Sequence, residues 1–186
     1  MTDRMNRRNL LGNAARIGCG CVLAAGLEGC TKPAERAHGR KESTLGAFCG
    51  LYCGACPLYQ VSIKVEDPSQ IKCLGCKSQK LADHCLKCQM KSCATAKSLS
   101  YCGQCDQFPC EKTKQFHSSG NDMTVVAEKN CSQIRKKGYS SWLGDQPQRW
   151  TCKKCGSKFS FKDETCPSCK ADVYSCKDEA ADHRKS

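Results

Sequence analysis

Residues 49–57 read Cys49-Gly50-Leu51-Tyr52-Cys53-Gly54-Ala55-Cys56-Pro57. Three thiols stand in C-x3-C-x2-C spacing, and a proline follows the last. A C-x-x-C pair lets two thiolates reach one metal from a tight turn, so this run predicts ligation rather than a hydrophobic core. The fold expected around it is a small metal-stapled domain of short helices and loops.

The chain outward from this run repeats the pattern. Eleven cysteines lie between residues 49 and 110, and four C-x-x-C pairs are among them: Cys53/Cys56, Cys73/Cys76, Cys85/Cys88 and Cys102/Cys105. Cys49, Cys93 and Cys110 stand singly. A disulfide scaffold spreads its partners along the chain, so consecutive C-x-x-C pairs favour metal. Eleven thiols do not fill three four-ligand sites. His84 beside Cys85 would supply a twelfth ligand, and two full sites with three thiols over is equally open. Spacing alone does not give the pairing. Three thiolates and a proline also suit an iron–sulfur cluster, with a fourth ligand elsewhere such as Cys110 of Phe108-Pro109-Cys110. A radical-enzyme reading of C-x3-C-x2-C needs a large β/α barrel, and the 130 residues after Cys56 show no alternating strand and helix pattern. A thioredoxin-type redox turn at Cys53/Cys56 lacks its βαβ context.

Composition agrees with a metal-held fold. Of 186 residues 20 are cysteine, and the 39% hydrophobic share counts them. Without them it falls to roughly 28%, too little to fill a core by burial alone. Large α/β enzymes, coiled coils and multi-span membrane proteins are excluded. The formal charge is +12. Each four-thiolate zinc site carries about −2, so three would bring the net to roughly +6. No basic stripe with interleaved aromatics is present, and nucleic acid is not an expected partner.

The run from Cys49 to Tyr59 resembles the opening motif of the cysteine-rich family called domain of unknown function 3795. The same order follows in Cys73-Leu74-Gly75-Cys76, Cys85 to Cys88, Cys93-Ala94, and Cys102-Gly103-Gln104-Cys105-Asp106-Gln107-Phe108-Pro109-Cys110. The resemblance covers residues 47 to about 116, with Gln89-Met90-Lys91 where an Ile-Arg pair is expected before Cys93. It implies metal binding and no established activity.

Helices are expected over 57–65, 88–97 and 109–117, the last with Pro109 in its first turn. His117-Ser118-Ser119-Gly120-Asn121 is a breaker run and the expected domain boundary. Asp122 then caps a helix over 123–137, with Val126, Asn130 and Ile134 on one stripe and Gly138 as the stop. A turn over 140–143 is expected to be cut by Pro147, which completes a linker over 117–149. Trp142 and Trp150 read as packing residues.

Cys152-Lys153-Lys154-Cys155-Gly156 and, ten residues on, Cys166-Pro167-Ser168-Cys169 predict a small β zinc ribbon over 150–173. Four sulfurs close a tetrahedral site, so the ion is structural, and softness and availability favour zinc over a rubredoxin-like iron. Cys131 and Cys176 are expected to be free thiols, and residues 174–186 a polar tail.

Residues 1–30 read as a targeting segment. Arg4, Arg7, Arg8 and Arg16 form a basic region before an apolar stretch over 17–27, too short to span a bilayer. Asn6-Arg7-Arg8-Asn9-Leu10-Leu11 looks like a twin-arginine export motif. Leu27-Glu28-Gly29-Cys30 looks like a lipobox, with Cys30 the residue to be acylated and Glu28 where a small residue is usual. Residues 31–46 have the composition of a flexible tether. The expected partners are therefore the export machinery and a membrane reached through the lipid. Twin-arginine export carries folded cargo, which keeps metal-capped thiolates out of the oxidising chemistry met outside the cytoplasm.

The function expected is an exported, membrane-tethered metal-binding protein with structural zinc centres. An iron–sulfur electron-transfer protein at the outer face of the membrane is the alternative. An enzyme is the less expected class: there is no H-E-x-x-H, nucleophile elbow or phosphate loop, His38, His84, His117 and His183 are scattered, and a thiol-redox activity at Cys53/Cys56 is the one catalytic candidate.

Overall fold

The structure is a computed structural model that describes residues 44–186. Arg7, Arg8, Cys30 and most of the expected tether lie outside the described residues.

A local turn recurs in the first half. Tyr52 and Tyr101 are both extended, and each is followed by a 3-10 turn, Cys53–Ala55 and Cys102–Gln104. In both, the amide of the second cysteine donates to the carbonyl of the first, Cys56 to Cys53 at 2.9 Å and Cys105 to Cys102 at 3.0 Å. The glycine after the first cysteine lets the preceding tyrosine ring fold over the turn. A Cβ at Gly54 would enter the Tyr52 ring, and one at Gly103 the Tyr101 ring. The sequence Tyr-Cys-Gly-x-Cys thus encodes a tight cysteine turn with an aromatic ring folded over its glycine.

Short helices follow the cysteines. They are α1 (Pro57–Ser62), α2 (Asp83–Leu86), α3 (Gln89–Ala96) and α4 (Glu111–His117). α3 lies within its expected span, with Cys88 as its N-cap. α1 stops early, and buried Ser62 explains why: its hydroxyl accepts the Lys72 and Cys73 amides, both at 3.0 Å, and so fixes the next knuckle. α4 begins after Pro109 rather than on it, with Cys110 as N-cap and the Phe108–Pro109 bond cis.

α5 (Asp122–Lys137) is the axis of the fold. Asn121 rather than Asp122 caps it, accepting the Met123 amide, and Gly138 ends it at φ 86°. Val126, Asn130 and Ile134 form the buried stripe. α6 (Tyr139–Arg149) follows at once and runs through Pro147, contrary to the expected break. Proline there removes one amide near the helix end, a loss offset by burial of Trp142 and Trp150 on either side.

Residues 176–185 are a helix, α7 (Cys176–Lys185), not a polar tail. Ser175 and Asp178 form a reciprocal capping box, and Cys176, Glu179 and Ala180 face inward along α5. Glu179 accepts from Lys129 of α5 at 2.9 Å and from Arg149 of α6 at 2.7 Å, joining the three helices.

The break expected at 117–121 does not divide the packing. One apolar cluster contains Tyr52, Ala55 and Tyr101 from the first half together with Val126, Trp142, Trp150, Phe159 and Ala180. The described residues, 44–186, accordingly belong to one unit. Helices hold the cysteine-rich loops, and among the described residues there is no strand. The expected β ribbon reduces to two knuckles, each closed by an isolated bridge, Thr151 with Lys158 and Thr165 with Asp172. The chain leaves the first hairpin for other partners: the Phe159 amide donates to Trp150 O, and the Phe161 amide to Ala55 O at 3.0 Å.

Candidate metal centre

Cys152, Cys155, Cys166 and Cys169 come together. Each knuckle repeats one backbone path: the Gly156 amide donates to Cys152 O at 2.8 Å, and the Lys170 amide to Cys166 O at 3.0 Å. The residue after each second cysteine is left-handed, Gly156 at φ 76° and Lys170 at φ 60°. Glycine adopts this freely, whereas lysine is strained. The four ligand atoms lie within 4.8 Å of one another. Across the two knuckles, Cys152 Sγ is 3.7 Å from Cys169 Sγ, and Cys155 Sγ is 3.5 Å from Cys166 Sγ. A metal–sulfur bond of about 2.3 Å gives a tetrahedral edge of about 3.8 Å, so the quartet fits a single ion.

The electrostatics favour thiolate at Cys155 and Cys152. The hydroxyl and amide of Ser157 donate to Cys155 and lower its thiol to about 6. The Cys155 and Lys154 amides likewise lower Cys152. Cys169 lies higher, at about 11, raised by its hydrogen bonds to the neighbouring cysteine sulfurs, Cys155 foremost, and by burial. Cys152 and Cys166 are buried while Cys155 is exposed.

The eleven thiols of 49–110 are arranged differently. Among the described residues the ribbon quartet is the one group of three or more metal-ligating side chains gathered within 4.8 Å. The pairs 53/56, 73/76 and 85/88 are electrostatic neighbours, and the Cys76 amide donates to Cys53 Sγ at 3.2 Å. Cys49 is buried beside Cys76, Cys53 and Cys131. Cys110 does not join Cys49, Cys53 and Cys56. It lines a separate cavity with Cys93, Cys102 and Cys105. His84 is exposed on α2 and joins no such group.

Burial dominates these thiols. It raises Cys49 and Cys53 well above the ordinary range, Cys85 to about 11 and Cys102 to about 12. An activated redox thiol needs the opposite shift. Cys131 and Cys176 are buried free thiols, each raised to about 12 by burial, and the Cys131 thiol donates to Cys49 O at 3.4 Å.

The sequence reading passed over the tyrosine preceding each Cys-Gly-x-Cys, although the repeat Tyr52-Cys53-Gly54 and Tyr101-Cys102-Gly103 was visible. It also passed over Gln60, whose amide donates to Gly54 O at 3.1 Å and Phe159 O at 3.0 Å, tying the first knuckle to the ribbon.

Residues 45–115 match the profile of the family described as Protein of unknown function (DUF3795), in agreement with the resemblance seen over 47–116. No curated protein and no solved structure matches the chain. The matched segment ends within α4 and leaves the ribbon quartet outside it.

Proposed function

We propose that this chain is an exported, membrane-tethered metalloprotein whose ribbon quartet holds a structural zinc ion. The observation that carries the zinc site is the pair of sulfur separations, 3.5 and 3.7 Å, at the edge length of a four-sulfur tetrahedron. Zinc is favoured over other ions of that geometry by ligand softness and availability. All four positions are filled by protein, which leaves none for substrate and makes the ion a staple. When bound, zinc holds the four thiolates deprotonated and locks the two knuckles against Trp150 and Phe159.

Export rests on Arg7-Arg8 and the apolar stretch after them, and tethering rests on Cys30. Among the described residues no helix is long and apolar enough to cross a membrane, and the proposed attachment is through lipid.

Elemental analysis of the purified full chain tests the zinc, and cell fractionation tests the address. Zinc should be present and fall in Cys155→Ser; zinc unchanged by that substitution contradicts the ribbon site. Changing Arg7 and Arg8 to Lys together should hold the protein in the cytoplasm. Unaltered membrane-fraction levels would remove the export reading and leave the metal reading standing.

A further inference from the structure

Four cysteines from three separate elements meet at one cavity: Cys93 on α3, Cys102 and Cys105 on the second tyrosine-lidded turn, and Cys110 at the start of α4. The cavity measures ≈ 170 Å³. The turn is anchored from outside, because the Cys102 amide donates to Phe48 O at 2.8 Å. α3 and α4 pack on each other, so the walls are fixed by the fold rather than by the thiols.

Two properties separate this set from the ribbon quartet. First, the cavity sulfurs are not drawn together: no three metal-ligating atoms here lie within 4.8 Å of one another, as the ribbon's four do. A single ion with bonds of about 2.3 Å demands that closeness. A cluster does not, because its irons and inorganic sulfides stand between the protein sulfurs and hold them apart. Second, the surroundings suit an anion at a half-buried site. Leu99 and Phe108 line the cavity, while Lys97 Nζ lies 3.5 Å from Cys105 Sγ. The Thr113 hydroxyl, which donates to Cys110 O at 2.8 Å, lies 3.8 Å from Cys110 Sγ. Apolar walls, a cation and a hydroxyl near the sulfurs are the features by which a protein sets a cluster's potential.

We propose that Cys93, Cys102, Cys105 and Cys110 form a second metal centre, the binding site of an iron–sulfur cluster, separate from the zinc ribbon. The four thiols give up their protons to solvent on ligation, and Lys97 offsets part of the negative charge. This centre adds an electron-carrying group to a chain whose ribbon ion is purely structural, and it does not depend on that ion's identity.

The test uses the full chain purified anaerobically from iron-replete cells. Iron and acid-labile sulfide should be present in equal amounts, with visible absorption that bleaches on reduction by dithionite. Cys102→Ser and Cys110→Ser should each lose the iron, the sulfide and the colour while keeping the ribbon's zinc. Because a ligand variant can fail to fold, Lys97→Gln supplies an independent reading. It leaves all four ligands in place and removes a positive charge beside Cys105, so the cluster should remain and its midpoint potential should fall. A colourless protein whose zinc content drops in Cys110→Ser would overturn the cluster in favour of a second single-ion site, with the ribbon reading untouched. Colour retained in both serine variants, or an unchanged potential in Lys97→Gln, would place the chromophore elsewhere and overturn it too. Iron and sulfide found without zinc would support the cluster and sink the ribbon reading instead.

Discussion

The ribbon quartet and the cavity quartet use the same residue four times over, yet they differ in what holds the sulfurs in place. In the ribbon, two short knuckles supply the four thiols, each shaped by its own backbone bond, and across them the sulfurs stand 3.5 and 3.7 Å apart. In the cavity, the ligands come from α3, a turn and the start of α4, and tertiary packing sets their distance. A site made by turns can close on one ion. A site made by helices keeps the gap that the helices leave. Thiolate chemistry is thus divided by backbone architecture, and the number of cysteines does not decide it.

The sharpest way to break this comparison is to remove the ion proposed for the ribbon quartet. Structural zinc contributes on the order of 10 kcal/mol in zinc-finger peptides, comparable to the whole stability of a domain. Cys166→Ser removes a fully buried ligand. Because Trp150 and Phe159 belong to the core that also contains Tyr52 and Tyr101, the loss should spread to residues 44–116. Hydrogen exchange should show both halves losing protection together. Exchange confined to 150–173 would restore the ribbon to the status of an independent module.

Trp150→Ala asks how much of the coupling runs through that core. Trp150 is 2% exposed and packs on Phe159 and Phe161, with Arg149 4.2 Å from its ring. A cost of about 3–5 kcal/mol is expected from chemical denaturation, with the ribbon zinc retained. A cost below 1 kcal/mol would mean that the two halves are held by other contacts.

The two lidded turns provide a finer test. Gly54→Ala and Gly103→Ala each push a methyl into a buried tyrosine ring, for about 1–3 kcal/mol. Only Gly103→Ala should disturb the cavity's metal, since its neighbours Cys102 and Cys105 line that cavity. Equal metal loss in both variants would show that the turns serve one shared site.

Smallest is the effect of relieving the second knuckle. Lys170→Gly removes a side chain from a left-handed residue, a strain of about 1–2 kcal/mol, partly offset by glycine's freedom in the unfolded chain. A gain of up to about 1 kcal/mol is expected in thermal denaturation. A loss would mean that the lysine side chain makes a contribution the backbone geometry does not reveal.

The legible parts of this molecule are those in which sequence neighbours are also spatial partners. Cys152/Cys155 with Cys166/Cys169 and the buried stripe of α5 could be read directly, because a knuckle and a helix face are periodic over a few residues. Cys110 was harder. Its proline-flanked position invited pairing with Cys49, Cys53 and Cys56, and only the approach of α3 to α4 set it beside Cys93 and Cys102. α7 was harder still: its mean composition is polar, and what makes it a helix is one capping box and three inward residues that need α5 to bury them.

The sequence by itself therefore determined the chemistry: thiols in ligand spacing and too little apolar material for an ordinary core. It also determined the turns, since Tyr-Cys-Gly-x-Cys and the paired ribbon knuckles form from contacts within a few residues. Tertiary structure alone decided how the thiols of 49–110 are grouped, that the ribbon and the first knuckle belong to one packing unit, and that a proline-containing helix and a polar C-terminus complete it. Those outcomes depend on burial between segments as far apart as Gln60 and Phe159, and burial at that range leaves no periodic trace in the chain.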